Sequence, residues 1–166
     1  MSDKKTNKWI LWYHPINENS WTKDTYTKVA EISSIKEFIE LFNTFPSFLK
    51  GMFFLMREGI FPQWEDEQNI NGGYFSYKIS KNVAEKAWFD ICACCIGEFL
   101  TKDEKHMKTI NGVSYSPKIN NCIIKILNND TSMGHADVLR CGIENLEPYQ
   151  SQYKPHMENA SEFVFD

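Results

Sequence analysis

Apolar and polar positions change period several times along this chain, and each change marks an element. Residues 9–13, WILWY, are strand-like, and TYTKVAEI at 25–32 follows as a second candidate strand. In SSIKEFIELFNTF the period lengthens: Ile35, Phe38, Ile39, Phe42 and Phe45 recur at three and four, and Ser34 with Glu37 has the spacing of a capping box. That pattern predicts an amphipathic helix stopped near Pro46. MFFLMR at 52–57 reads as a buried strand, and GYFSYKIS at 73–80 as another, with Phe75, Tyr77 and Ile79 alternating against Tyr74, Ser76 and Lys78. A second helix begins at Ser80 or Asn82 and runs to roughly Phe99, with a stripe of Trp88, Ile91, Cys92 and Cys95.

GVSYS and CIIKIL read as a hairpin across PKINN, and TSMGHADVLRCGI as a third helix capped by Thr131 or Ser132. EFVFD at 162–166 fits a last short strand. Strands joined mostly by short turns, with three helices between them, imply the α+β class: a largely antiparallel sheet with helices on one face and the other face open.

A chain of 166 residues suits one domain over 1–166 with a single core, residues 1–8 being expected as a flexible stub. The formal net charge of -4 argues against a global basic field for long nucleic acid, so any contact with nucleotides must be local and shaped. No apolar run is long enough to span a bilayer, and MSDKKTNKW lacks a signal-peptide core, so a cytoplasmic, monomeric protein without a membrane partner is expected. The five cysteines match no disulfide framework and favour a reducing compartment. Cys92 and Cys95 stand at a helical spacing that a metal could use, but they read more simply as small buried apolar residues, and no metal or cofactor is expected. The sequons at Asn129 and Asn159 carry little weight in that compartment.

The loop FPQWEDEQN, between two strands, sets Trp64 directly before Glu65, Asp66 and Glu67. A flat π-face beside a carboxylate suits a base with a permanent positive charge, such as N7-methylguanine. The cation is drawn to the indole, and its two Watson–Crick-edge donors fork onto one carboxylate. Trp21, in the polar loop NENSWTKD, is the candidate second ring of a sandwich, whereas Trp9, Trp12 and Trp88 fall on strand or helix faces and read as core. The plainer alternative is that these tryptophans pack and the acids are solvated surface. A different class of reading makes Glu65, Asp66 and Glu67 Mg²⁺ ligands of a nucleotide-processing enzyme. Consecutive acids on a loop seldom converge on one ion, and no catalytic histidine or cysteine constellation accompanies them.

Across nearly its whole length the chain resembles the mRNA cap-binding translation initiation factor 4E family. WILWY resembles the family's opening strand, EFIELFN its first helix, WFDICACCIGE its second helix, and YQSQ its tyrosine–glutamine–serine. GIFPQWEDEQNINGG is the longest and most distinctive match. The resemblance implies a curved antiparallel sheet with three helices on its convex face and the cap site on its concave side. It implies that Trp21 and Trp64 sandwich the methylated base and that Glu65 reads its edge. It also implies no enzymatic activity, capped mRNA as ligand, and a scaffold or regulator carrying a Tyr-x4-Leu-hydrophobic helix.

The sequence departs from the family where phosphates are held. Lys118 falls at an arginine position, Asn120 and Cys122 at lysine positions, and Lys125, Lys154 and His156 are the candidate replacements. On the partner side Ile35, Ile39, Phe89, Asp90 and Gly97 form the expected dorsal surface, with Ile39 where the family has a tryptophan and Asp90 where it has a glutamate. The family's N-terminal tail is missing from the match, and ENLEPYQS is short by a strand. A cap-binding repressor that does not recruit the scaffold therefore stands as the alternative to an initiation factor.

Overall fold

The β-formers of the sequence assemble into one seven-stranded sheet, seen in a computed structural model that describes residues 7–45 and 47–157. The strands are β1 (Trp9–His14), β2 (Thr27–Ile32), β3 (Met52–Arg57), β4 (Gly73–Ile79), β5 (Ile110–Pro117), β6 (Cys122–Asn128) and β7 (Gln152–Pro155). Their order is β2-β1-β3-β5-β6-β4-β7, and every pairing is antiparallel. The helices are α1 (Ile35–Thr44) and α2 (Lys81–Ile96). The α+β class holds, with a curved sheet.

Alternation along each strand sorts the residues into two faces. Leu11, Leu55, Tyr77, Val113, Tyr115 and Ile124 join the main core, which also receives Phe38 of α1 and Trp88, Ile91, Cys92 and Cys95 of α2. Trp88 is fully buried between Phe48 and the Tyr115 ring, with centroid distances of 6.3 and 5.5 Å. Truncating a tryptophan so placed to alanine costs roughly 3–5 kcal/mol in comparable cores. The free thiols of Cys92, Cys94 and Cys95 are packed into this core, and burial pushes each of them upward. α2 is buried on more than one side, so its apolar residues form no narrow stripe. α1 completely buries only Phe38.

Ser34 accepts from the Glu37 amide at 3.2 Å, while the Glu37 carboxylate takes the amide of Ser33 rather than that of the cap residue, at 3.0 Å. α2 closes with the Phe99 amide on the Cys94 carbonyl and the Glu98 amide on Cys95, both at 3.0 Å. This Schellman turn places Glu98 in the left-handed region, φ 59°, where glycine is usual. The side chain offsets that strain: its carboxylate pairs with Arg57, whose guanidinium also donates to the carbonyls of Ile110 and Met107 and lies 4.5 Å over the Trp9 ring.

Three expectations change. The segment 131–143 is not an α-helix but two 3-10 turns, Thr131–Met133 and Ala136–Val138, the first capped by Asp130 and not by Thr131 or Ser132. Gly134 interrupts it, and a Cβ there would sit 2.2 Å from the Tyr153 ring, so the chain runs flat against that side chain. Leu139 then extends to bridge Thr101. Second, the final strand among the described residues is β7, unforeseen because only Tyr153 and Pro155 are even partly buried. The proposed EFVFD strand, the Asn159 sequon, Pro46 and residues 1–6 lie outside the described residues. Third, Trp12 is not in the main core. It lies on the opposite face with Met56, Ile60 and Leu127, its ring 5.0 Å from Phe61.

Candidate functional site

Residues 58–72 cross from β3 to β4 as a long loop that is tied down from within. Asp66 accepts the amides of Phe61 and Gln68 at 3.2 and 2.9 Å. Asn69, completely buried, donates to the carbonyls of Phe61 and Gln63 at 3.0 and 2.8 Å. Its own oxygen accepts from Asn111 on β5 at 2.8 Å, and Asn111 also holds the Gln68 carbonyl at 2.9 Å. Asn129 reaches Asn111 in turn at 3.4 Å. Below, Phe61 packs edge-on against Trp12 and Tyr26.

The three consecutive acids therefore do different work. Asp66 spends its oxygens on the loop backbone, Glu67 is exposed, and Glu65 lines the cavity beside Trp64. Among the described residues no three of His, Cys, Asp or Glu converge as a metal would need.

The loop between β1 and β2 brings Trp21 to the same cavity. Gln63 donates to the Trp21 carbonyl, joining the two loops directly. Trp21 and Trp64 remain 47% and 39% exposed, which is unusual for rings of this size and means that surface is available for stacking. Tyr26 sits beneath them. Burial pushes its hydroxyl to about 12, with the Gln63 hydrogen bond opposing and the Glu65 carboxylate adding to the shift, so it stays neutral.

The cavity these loops bound holds about 750 Å³. Its floor is Met52, Phe54, Ser114 and Leu127 on the open sheet face, and its far end carries Lys118, Lys125 and His156. A smaller hollow of about 260 Å³ adjoins it through Tyr74, Ser116, Lys118 and Lys125, and adds Lys154. Lys125 is held in register with Ser76 and Ser114, which puts it on the open face, its ammonium 4.4 Å over the Tyr74 ring. Burial first, then the charges of Lys118 and Lys154, lower its proton affinity. His156 is buried, and desolvation followed by the Lys125 charge lowers it to about 4, so it is neutral at pH 7. The buried Ser116 hydroxyl and His156 Nε2 both lack a hydrogen-bond partner among the described residues. Cys122, by contrast, is completely buried in the core and cannot reach a ligand, and Asn120 is exposed at the hairpin turn.

On the helix side, Ile35 and Ile39 are each 41% exposed on α1. Phe89 is half-buried against Phe38, Asp90 pairs with Lys86 at 2.8 Å, and Gly97 caps α2.

The sequence model described as Eukaryotic initiation factor 4E matches residues 4–163. This chain belongs to that family. Eukaryotic translation initiation factor 4E of Dictyostelium discoideum is 32% identical over 163 residues, covering 90% of this chain and 63% of that one. Its counterpart in Eremothecium gossypii is 33% identical over 115 residues, covering 64% and 53%. The chain thus spans only about half to three-fifths of the length of these two family members. Among solved structures, the complex of C. elegans eIF4E-3 with the 4E-binding protein Mextli and cap analog superposes with a TM-score of 0.76 at 21% identity, covering 93% of each chain. Ascaris suum eIF4E-3 with m7G cap gives 0.66 at 22% identity, covering 75% and 72%. These likenesses establish the fold of the family. Within it, the sequence reading gave no role to Gln63, Asn69, Asn111 and Ser116. Asn69 had a signal as part of the GIFPQWEDEQNINGG match, and Tyr74 had one in its place in the outward set of GYFSYKIS.

Proposed function

We propose that this chain binds the N7-methylguanosine 5′ cap of mRNA and brings capped mRNA to the translation machinery of the cytoplasm, without catalysing a reaction. One observation carries the reading: Trp21, Trp64 and Glu65 line one end of a cavity whose other end is lined with cations. A methylated guanine slid between the indoles gains about 1–3 kcal/mol per stacked ring, the cationic charge adding to it. Glu65 accepts N1–H and the N2 amine as a charge-assisted fork. Lys118 and Lys125 meet the phosphates, and Lys154 receives the chain as it leaves. The two structural neighbours above were solved with a cap analog and with the m7G cap, which is consistent with this use of the fold.

Tryptophan fluorescence titration tests the reading. N7-methyl-GTP should quench and bind at least tenfold more tightly than GTP, and Glu65→Ala should cost about 1.5–3 kcal/mol of that binding at unchanged Tm. Equal affinities for the two nucleotides refute the sandwich. A second reading, a cap-occupying repressor, draws on the exposed Ile39. Isoleucine offers apolar area without the flat ring and N–H donor that interface anchors exploit. On this surface, with Ile35, Phe89, Asp90 and Gly97, a generic Tyr-x4-Leu-hydrophobic peptide should bind weakly, and Ile39→Trp should strengthen it. Tight binding by the unaltered chain removes the support for the repressor.

A further inference from the structure

His14 is the last residue of β1, completely buried, and its neighbours are not those of an ordinary core histidine. Its imidazole lies flat behind the Trp21 indole, with ring centroids 4.0 Å apart and planes 7° from parallel. One ring nitrogen, Nδ1, is 2.9 Å from the Pro15 carbonyl oxygen, and the other, Nε2, is 2.9 Å from that of Ser20. Those carbonyls stand at the two ends of the exposed loop that ends in Trp21. The Tyr26 ring closes the site edge-on at 5.0 Å.

We propose that His14 is a positioning residue for Trp21: it clasps both ends of the loop and backs the inner face of the indole, leaving the outer face for a ligand. For the identity of that ligand the inference rests on the cap-binding reading. The clasp itself follows from valence. A carbonyl oxygen only accepts, so both contacts are hydrogen bonds only when both ring nitrogens carry hydrogen, which is the imidazolium form. A neutral ring satisfies one end and leaves the other facing a lone pair. Without the clasp, an indole half in solvent at the tip of a polar loop has several rotamers open to it, and a stacking base has to freeze one of them out. Beside the clasp the Glu18 carboxylate holds the Ser20 amide at 2.9 Å, and the Tyr26 hydroxyl, on which the Glu65 carboxylate acts, stays neutral. From β3 the register partner is Met52, which brings no charge.

The test uses the full chain labelled with 5-fluorotryptophan, the Trp21 resonance being assigned with Trp21→Phe. In the free wild-type protein this ¹⁹F line should be a single sharp resonance, because the clasp holds the indole in one place. In His14→Phe, which keeps a flat ring behind the indole but has no N–H donors for the loop, the line should stay near its place and broaden. In His14→Ala it should shift and broaden. N7-methylguanosine should bind five- to tenfold more weakly to His14→Ala and two- to threefold more weakly to His14→Phe. The same factors should hold for N7-methyl-GTP, because the lysines are untouched. If His14→Ala does not fold, His14→Phe carries the test. A Trp21 line as sharp in both variants as in the wild type overturns the clasp. If no nucleotide binds the wild type, the cap reading fails while the fluorine measurement still decides the role of His14.

Discussion

The two ends of the cavity are built on opposite plans. At the end lined by Trp21, Trp64 and Glu65 the loops are braced. Asp66, Asn69, Asn111 and Gln63 are bonded to backbone or to one another. At the other end the polar groups are left wanting. Lys125 is half-buried beside two other cations, and Ser116 and His156 hold polar atoms without partners among the described residues. A rigid slot suits a flat ligand of one shape, because the cost of ordering the site is met in folding. An uncompensated cluster of cations suits an anion, whose arrival relieves repulsion and desolvation together. The contrast is between preorganised geometry and stored electrostatic strain.

The sharpest way to break the first half is Asn69→Ala. It removes three hydrogen bonds, those to the Phe61 and Gln63 carbonyls and the one from the Asn111 amide, at about 1 kcal/mol each, so roughly 2–3 kcal/mol of fold stability. Binding of the methylated nucleoside should fall with it, since both Gln63 and Trp64 lose their anchor. Thermal unfolding and a nucleoside titration read both. An unchanged Tm means that the loop is held elsewhere. Lys118→Ala probes the second half, with a smaller effect because the side chain is exposed: about 1 kcal/mol, seen for the triphosphate and absent for the nucleoside. Equal losses for both ligands make Lys118 a structural residue.

The same contrast explains what was legible beforehand. The strands β1 to β6 and two helices are readable because alternation and the 3.6 period record burial directly, as at GYFSYKIS and at Phe38. Trp64 and Glu65 stood out because an aromatic next to acids in a loop has no use in a core. Asn69 and Asn111 gave no such signal, since a buried asparagine is defined by partners 42 residues away in sequence. Lys125 depended on strand register, which a one-residue slip reverses. The segment 131–143 had a helical capping pattern, but Gly134 and the Tyr153 ring overrode local propensity. His14 was invisible because stacking and double carbonyl contact depend on how a loop returns.

A substitution that adds stability gives a finer test of the strained end. Lys125 has no carboxylate partner among the described residues and is disfavoured by burial and like charge. Lys125→Met keeps the stem over Tyr74 and removes the charge. We expect a gain of about 0.5–1 kcal/mol in stability, as for relief of one poorly compensated charge, together with weaker triphosphate binding. A loss of stability means that the cation–π contact with Tyr74 outweighs desolvation.

The last test is a pH dependence, and it isolates one pair within that cluster. In the unfolded chain the imidazole of His156 takes up its proton near the ordinary value of about 6.5, whereas in the fold it does so only at about 4. Between those values the unfolded state binds more protons, so stability rises with pH there. Read in the other direction, the contribution is intact above about 6.5 and is lost progressively as pH falls toward about 4. His156→Asn should flatten this part of the stability profile measured by denaturant melts. Burial is the larger cause of the shift and the Lys125 charge the smaller. Lys125→Met should therefore narrow the window from its acid side without abolishing it, moving the folded-state titration of His156, followed by its ring-proton resonances, upward. If that titration is unmoved by Lys125→Met, desolvation alone sets it, and the cations at this end of the cavity act on a ligand but not on one another.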